Sequence, residues 1–179
     1  MSIEELDDLS SQIAARVLTM QEVNAARTVS TYVHTGSEVR TNQVIDSLLS
    51  RGKRVIVPIT DKTNRRLLFS ELKDPKTELR AGSFGILEPK PEVRTYVPLE
   101  QADVILVPGI AWDFRGYRIG YGTGSYDRVM YSLKLRALKI GLSYDVQVLD
   151  RIPTTHNDRK VHMIVTERRI INTQQNFGY

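Results

Sequence analysis

Five of the chain's eleven glycines fall between a short apolar run, Val104 to Val107, and a helical stretch that begins near Ser125. They are Gly109, Gly116, Gly120, Gly122 and Gly124. A strand, a glycine-rich loop and a helix together let backbone N–H groups close on phosphate oxygens at a helix N-terminus. The spacing Gly120-x-Gly122-x-Gly124 is neither a P-loop, which closes on Gly-Lys-Ser/Thr, nor the dinucleotide fingerprint. Its neighbours sharpen the chemistry. Arg118 precedes the loop, and a guanidinium fork can clamp phosphate oxygens. Asp127 follows on the first helical turn, where a carboxylate can bind Mg²⁺ bridging those phosphates. The competing reading is purely structural: glycines for a tight turn, Asp127 favoured by the helix dipole, and Arg128 in an ion pair.

A second cluster, Thr154-Thr-His-Asn-Asp158, offers Asp158 as a further oxygen ligand for a hard cation. The three histidines, His34, His156 and His162, show no zinc spacing, and the absence of cysteine excludes disulfides and thiolate chemistry. Ser125 has no histidine at nucleophile-elbow spacing, which argues against a serine hydrolase. Glu38 and Thr41 lie between a strand and a helix, as site residues or as caps. Phe84 and Glu88 stand in a proline-rich stretch, where Phe84 either stacks on a flat ring or pins the loop to the core. Trp112, the only tryptophan, carries the same ambiguity.

Alternating elements must position these residues. The capping-box patterns Ser2-Ile-Glu-Glu5 and Thr19-Met-Gln-Glu22 predict an amphipathic helix over 3–18 and a short one over 20–26. Thr28 to His34 reads as a strand, 42–51 as a helix capped by Thr41, and Arg54 to Ile59 as a second strand ending at Pro58. Strand, helix and strand form a βαβ unit with a right-handed crossover. Leu67 to Leu72 is a further candidate strand. From Asp74 to Pro98, with four of the seven prolines, a long surface loop is expected. A strand at 103–107, a helix near 125–135 and strands at Leu138–Ser143 and Met163–Thr166 complete the pattern. The near-continuous apolar strands predict a layered, Rossmann-like α/β fold with a mostly parallel sheet, formed as a single domain over residues 1–179. Ligands in such folds sit at the carboxyl ends of strands, so the loops after Ile59, Val107 and Ser143 should gather at one edge.

The bulk numbers agree. A chain of 179 residues with 41% hydrophobic and 26% charged residues suits one soluble domain. An acidic opening, MSIEELDD, and no bilayer-length apolar run predict a cytoplasmic protein without membrane contact. The net charge of +4 and a pI of about 9.4 fit an anionic ligand. Scattered basic residues without a known nucleic-acid motif argue against a nucleic-acid partner.

Val107-Pro-Gly-Ile-Ala-Trp-Asp113 followed by Gly116-Tyr-Arg-Ile-Gly-Tyr-Gly-Thr-Gly-Ser-Tyr-Asp-Arg128 resembles the signature of the 5-formyltetrahydrofolate cyclo-ligase (methenyltetrahydrofolate synthetase) family. So do Glu38-x-x-Thr41, Gly52-Lys53 before the strand ending in Pro58, Gly85-Ile-Leu-Glu-Pro89, and Asn157-Asp158 with Val161 and Thr166-Glu167. The resemblance covers roughly residues 30–170. It implies an ATP- and Mg²⁺-dependent enzyme that phosphorylates the formyl oxygen of 5-formyltetrahydrofolate and closes the ring to 5,10-methenyltetrahydrofolate. Carried over by position, Arg118, Gly120, Tyr121, Gly122, Thr123, Gly124, Ser125 and Tyr126 would hold ATP. Arg118, Tyr126 and Asp127 would serve catalysis, and Asp127 with Asp158 would bind Mg²⁺. Glu38, Phe84, Glu88 and Trp112 would contact the reduced folate.

The sequence departs from the pattern in places. MSIEELDDLSSQI lacks the family's opening Lys-x-x-x-Arg helix, Ser125 and Thr123 replace the usual residues of the glycine loop, and Thr155 and His162 replace common acids. The alternative is therefore a non-catalytic or divergent folate- or nucleotide-binding relative on the same fold. A monomer or weak homodimer is expected.

Overall fold

The computed structural model describes residues 1–82, 85–122, 124–132 and 136–174. Helix α1 (Ile3–Thr19) starts on the expected capping box: the Ser2 hydroxyl accepts the Glu5 amide and the Glu5 carboxylate accepts the Ser2 amide. Its inner face is Leu6, Ser10, Ile13, Ala14, Val17 and Leu18. The second capping box does not form. Thr19 instead donates its hydroxyl to the Arg16 carbonyl, and α2 (Gln21–Ala25) starts at Met20 without a side-chain cap. Strand β1 (Thr28–Ser30) is shorter than the run to His34 predicts. The Thr31 amide still reaches the Ile56 carbonyl, after which the chain leaves the sheet to form the Glu38 loop. Thr41 precedes α3 (Asn42–Ser50) but spends its hydroxyl on the Tyr32 carbonyl rather than on a helix amide.

Strand β2 (Arg54–Asp61) runs through Pro58. It pairs antiparallel with β3 (Arg66–Leu72) on one side and parallel with β1 on the other. The backbone groups of Ile56 and Thr60 point away from β3, toward β1 and the Glu88 carboxylate respectively. Pro58, between them in a strand of period two, faces the same way just past the end of β1. A missing N–H therefore breaks no ladder bond there. The proline-rich stretch holds more regular structure than a loop: α4 (Pro75–Glu78), a hairpin of β4 (Leu79–Ala81) and β5 (Leu87–Pro89), and the edge strand β6 (Thr95–Tyr96).

There follow β7 (Val104–Val107), β8 (Ala111–Asp113), β9 (Arg118–Ile119), α5 (Ser125–Ser132), β10 (Leu138–Leu142), β11 (Val148–Leu149), β12 (Met163–Val165) and β13 (Ile170–Asn172). The large sheet runs β13-β12-β10-β7-β1-β2-β3-β6, with the five central strands parallel. A small sheet, β11-β8-β9, sits beside it.

Alternating side chains of each buried strand feed two core layers. Val104 and Leu106 join Ile13, Val17 and Leu48 on one face, whereas Ile105 and Val107 join Trp112, Met130 and Ile164 on the other. The chain builds β2 to one side of β1, then β7, β10 and β12 to the other. That reversal opens a crevice between the carboxyl ends of β1 and β7, where such sheets bind ligands. Among the described residues no helix is long and apolar enough to cross a membrane.

Candidate active site

The loop leaving β8 is built on Asp113, which is fully buried. Its carboxylate accepts the amides of Arg115, Tyr117 and Ile152 and a two-pronged contact from the Arg115 guanidinium. These donors compensate the burial of its charge. Gly116 completes the turn at φ +89, where an added Cβ would lie 2.6 Å from the Val161 carbonyl oxygen. This knot delivers Arg118 to the crevice.

The Arg118 side chain is almost entirely buried, and its two terminal nitrogens donate to the two oxygens of Asp127 at 3.1 and 3.0 Å. Burial lowers the guanidinium's pKa, while Asp127 and, more weakly, Asp158 hold its proton in place. Asp127 Oδ1 also accepts the Arg159 amide at 3.1 Å. The glycine loop between the two partners of this pair is open: Gly120, Tyr121 and Gly122 are exposed, and a Cβ at Gly120 or Gly122 would meet nothing within 4 Å. Gly122 and Gly124 adopt φ of +84 and +61, as the tight-turn reading requires. Ser125 opens α5, and its hydroxyl lies 3.4 Å from an Arg128 nitrogen. Thr123 lies outside the described residues, as does Phe84.

Glu38 enters from the loop after β1. It is 9% exposed and accepts the Thr35 amide at 2.8 Å. Burial raises its pKa to about 7, partly offset by that amide. The carboxylate is close enough to Tyr32, Tyr121 and Tyr126 to push their hydroxyl pKa values up, in each case adding to the larger effect of burial. Among the described residues the buried Tyr126 hydroxyl has no hydrogen-bond partner, and the Arg118 guanidinium stands 5.8 Å from its ring centre. Glu38, Tyr121, Tyr126, Arg118 and Asp127 therefore converge at the crevice.

Two expected folate contacts lie elsewhere. Trp112 has no exposed surface: it wedges over Gly109 and Gly141, where an added Cβ would stand 2.7 and 2.4 Å from the indole. It props the floor of the site and presents no surface to a ligand. Glu88 is also buried, and it stitches the β4–β5 hairpin to the end of β2. It accepts the Thr60 amide at 2.9 Å and lies 3.7 Å from Arg94, at the wall of a separate cleft of about 610 Å³ that Arg80 and Tyr96 also line.

The expected Mg²⁺ ligands do not form a site as they stand. Both Asp127 oxygens face Arg118, and Asp158 Oδ2 turns back to accept the Thr155 amide at 2.6 Å. Among the described residues no cluster of three or more acids or histidines could hold a metal. Mg²⁺ needs close, near-octahedral oxygen coordination, and carboxylates already spent on internal donors do not supply it.

The sequence profile of the 5-formyltetrahydrofolate cyclo-ligase family matches residues 1–167. The 5-formyltetrahydrofolate cyclo-ligase of Escherichia coli is 30% identical over 168 residues, covering 93% of this chain and 92% of that protein. The Mycolicibacterium smegmatis cyclo-ligase is 35% identical over 147 residues, covering 81% and 76%. Among solved structures, the 5,10-methenyltetrahydrofolate synthetase of Aquifex aeolicus superposes with a TM-score of 0.85 at 30% identity, covering 100% of this chain and 88% of that one. The Mycoplasma pneumoniae synthetase shares the fold, with a TM-score of 0.73 at 20% identity over 93% and 90% of the two chains. A matching profile over nearly the whole length, on a chain whose crevice gathers the motif residues, means that the protein belongs to the 5-formyltetrahydrofolate cyclo-ligase family.

Proposed function

We propose that the protein converts 5-formyltetrahydrofolate to 5,10-methenyltetrahydrofolate with ATP, releasing ADP and phosphate. The observation that carries this reading is the convergence of Glu38, Tyr126 and the Arg118–Asp127 pair at the topological switch point of a chain from this family.

The formyl oxygen attacks the γ-phosphorus and ADP leaves. N10 then attacks the activated formyl carbon and loses its proton to solvent, and the C–O bond breaks to release phosphate. Nothing in this sequence demands a protein nucleophile. It demands placement of two substrates and neutralisation of phosphate charge. Arg118 is assigned to the phosphates, exchanging Asp127 for them, with the backbone of 120–124 and Ser125 beside it. Glu38 and Tyr126 are assigned to the reduced pterin, whose N–H groups suit a buried carboxylate, and Tyr121 to the pocket mouth. Mg²⁺ is assigned to the ATP phosphates as part of that substrate, since the carboxylates offer no preformed site.

Following the absorbance of methenyltetrahydrofolate during incubation of the purified protein with 5-formyltetrahydrofolate, ATP and Mg²⁺ tests the proposal. Product should form only when all three are present. No turnover, together with no ATP-dependent heat of binding, would leave a non-catalytic relative as the correct reading.

A further inference from the structure

Three consecutive backbone positions in the Glu38 loop are each held by a side-chain hydroxyl, and the three hydroxyls come from three different elements. Tyr144, just past the end of β10, donates to the Glu38 carbonyl at 3.2 Å. Tyr32, just past β1, donates to the Val39 carbonyl at 3.0 Å. Ser10, on the inner face of α1, accepts the Arg40 amide at 3.0 Å. Ser10 and Tyr144 also meet each other, oxygen to oxygen, at 2.9 Å.

A hydroxyl has one proton, and that fixes the direction of the chain. Tyr144 must give its proton to the Glu38 carbonyl, which can only accept. Ser10 must therefore be the donor to Tyr144, and the Arg40 amide is the donor to Ser10. The result is a relay from the Arg40 N–H through Ser10 and Tyr144 to the Glu38 C=O, closing on both ends of one three-residue segment. Tyr144 is fully buried and Ser10 is 3% exposed, so water does not compete. Bonds linked in series in such surroundings reinforce one another.

From this geometry we infer that Tyr144, with Ser10 behind it, is a positioning residue for the substrate carboxylate Glu38, and that the relay ties the geometry of the folate half of the site to helix α1. The inference rests on the proposed role of Glu38. Among the described residues the main chain at 38–40 has no sheet or helix backbone partner to fix it, and the Glu38 amide bonds within its own turn, to the Thr35 carbonyl. Without the relay the carboxylate loses its fixed aim toward the Tyr126 side of the crevice. Neither Tyr144 nor Ser10 is placed among the phosphate contacts, so the ATP half should be indifferent to them.

Tyr144→Phe deletes the one hydroxyl and keeps the buried ring, and Ser10→Ala deletes the middle of the relay from the other side. Steady-state kinetics for both substrates, with thermal unfolding measured alongside, separates positioning from bulk stability. KM for 5-formyltetrahydrofolate should rise about tenfold in Tyr144→Phe, and by a smaller factor in Ser10→Ala, while KM for ATP stays within about twofold. If Tyr144→Phe fails to fold, Ser10→Ala carries the test by the same split. An unchanged folate KM in the folded variants, or equal changes in both KM values, overturns the inference. A wild-type protein that does not turn over 5-formyltetrahydrofolate would instead sink the underlying function.

Discussion

At the scale of single residues, the buried Glu38 carboxylate carries a stability cost that its proposed role in holding the folate would account for. Its pKa is about 7 in the fold against 4.5 for an ordinary glutamate, with burial as the main cause. A carboxyl whose folded pKa is raised contributes stability that is complete below the ordinary value and lost as pH rises through the folded one. The folded protein should therefore weaken between pH 4.5 and 7, by up to about 3 kcal/mol from this group alone. Glu38→Gln keeps an acceptor for the Thr35 amide and removes the charge. It should unfold at a higher temperature than the parent at pH 8, match it near pH 4.5, and bind 5-formyltetrahydrofolate more weakly. Equal melting temperatures at pH 8 would show that the buried carboxylate carries no such cost. The Asp127 carboxylate is the ion-pair partner of a buried guanidinium. Removing its charge leaves Arg118 buried and unpaired, so Asp127→Asn should destabilise the fold by about 3 kcal/mol, read by denaturant titration. Loss of activity in that variant alone would not identify a metal ligand. Residue types at both positions are visible in the sequence, but their partners are not. Glu38 reads equally as a helix cap until the fold buries it, and Asp113 reads only as part of a motif. Five donors converge on Asp113 because its turn folds back on Ile152, far along the chain. The one local signal was the Asp-x-x-Gly turn ending at Gly116.

At the scale of elements, Trp112 packs between the loop after β7 and strand β10, and its backbone pairs with Arg118, so this packing fixes the strand that carries the arginine. Gly141 pairs with Val107 on one side and Ile164 on the other, in the middle of the parallel sheet, where only a hydrogen leaves room for the indole. Gly141→Ala forces a methyl into a space 2.4 Å from the indole carbon and should cost about 1–3 kcal/mol. Trp112→Phe in the same chain should recover part of that loss, so a double-mutant cycle by thermal or chemical denaturation should show coupling of at least about 0.5 kcal/mol. Strict additivity would mean that the sheet relaxes elsewhere.

Period and composition made α1, α3, β2, β7, β10 and β12 legible, since each carries a continuous or regularly spaced apolar face into one of two core layers. The errors have a common cause. The length of β1, the passage of β2 through Pro58 and the order within 74–98 depend on which neighbouring strand is present. A single strand's sequence does not encode that. Pro58 is tolerated because β1 has already ended, and β4 and β5 are too short to show a period.

At the scale of the whole molecule, the parallel strands of the large sheet place the loops after β1, β7 and β10 at one edge, and two basic residues lie close to the Arg118 strand that leads into the site. Arg159 reaches the carbonyls of His156 and Asp158 and lies 4.3 Å from the Tyr131 ring centre. Lys160 stands 5.0 Å from the ring of Tyr117, one residue before Arg118. Held on aromatic faces and carbonyls, with no carboxylate partner among the described residues, these two cations keep their field beside the Arg118–Asp127 pair. ATP and a folate are both polyanions, so a positive edge should raise their local concentration and encounter rate. Salt shortens the reach of that field from about 30 Å at 0.01 M to about 8 Å at 0.15 M. Over this range kcat/KM for ATP should fall about fivefold or more. Replacing both Arg159 and Lys160 by alanine should flatten the dependence while leaving kcat nearly intact, because neither is assigned to the reacting atoms. A salt response identical in the double variant would place the steering charge elsewhere, on Arg118 itself or the helix N-terminus behind it.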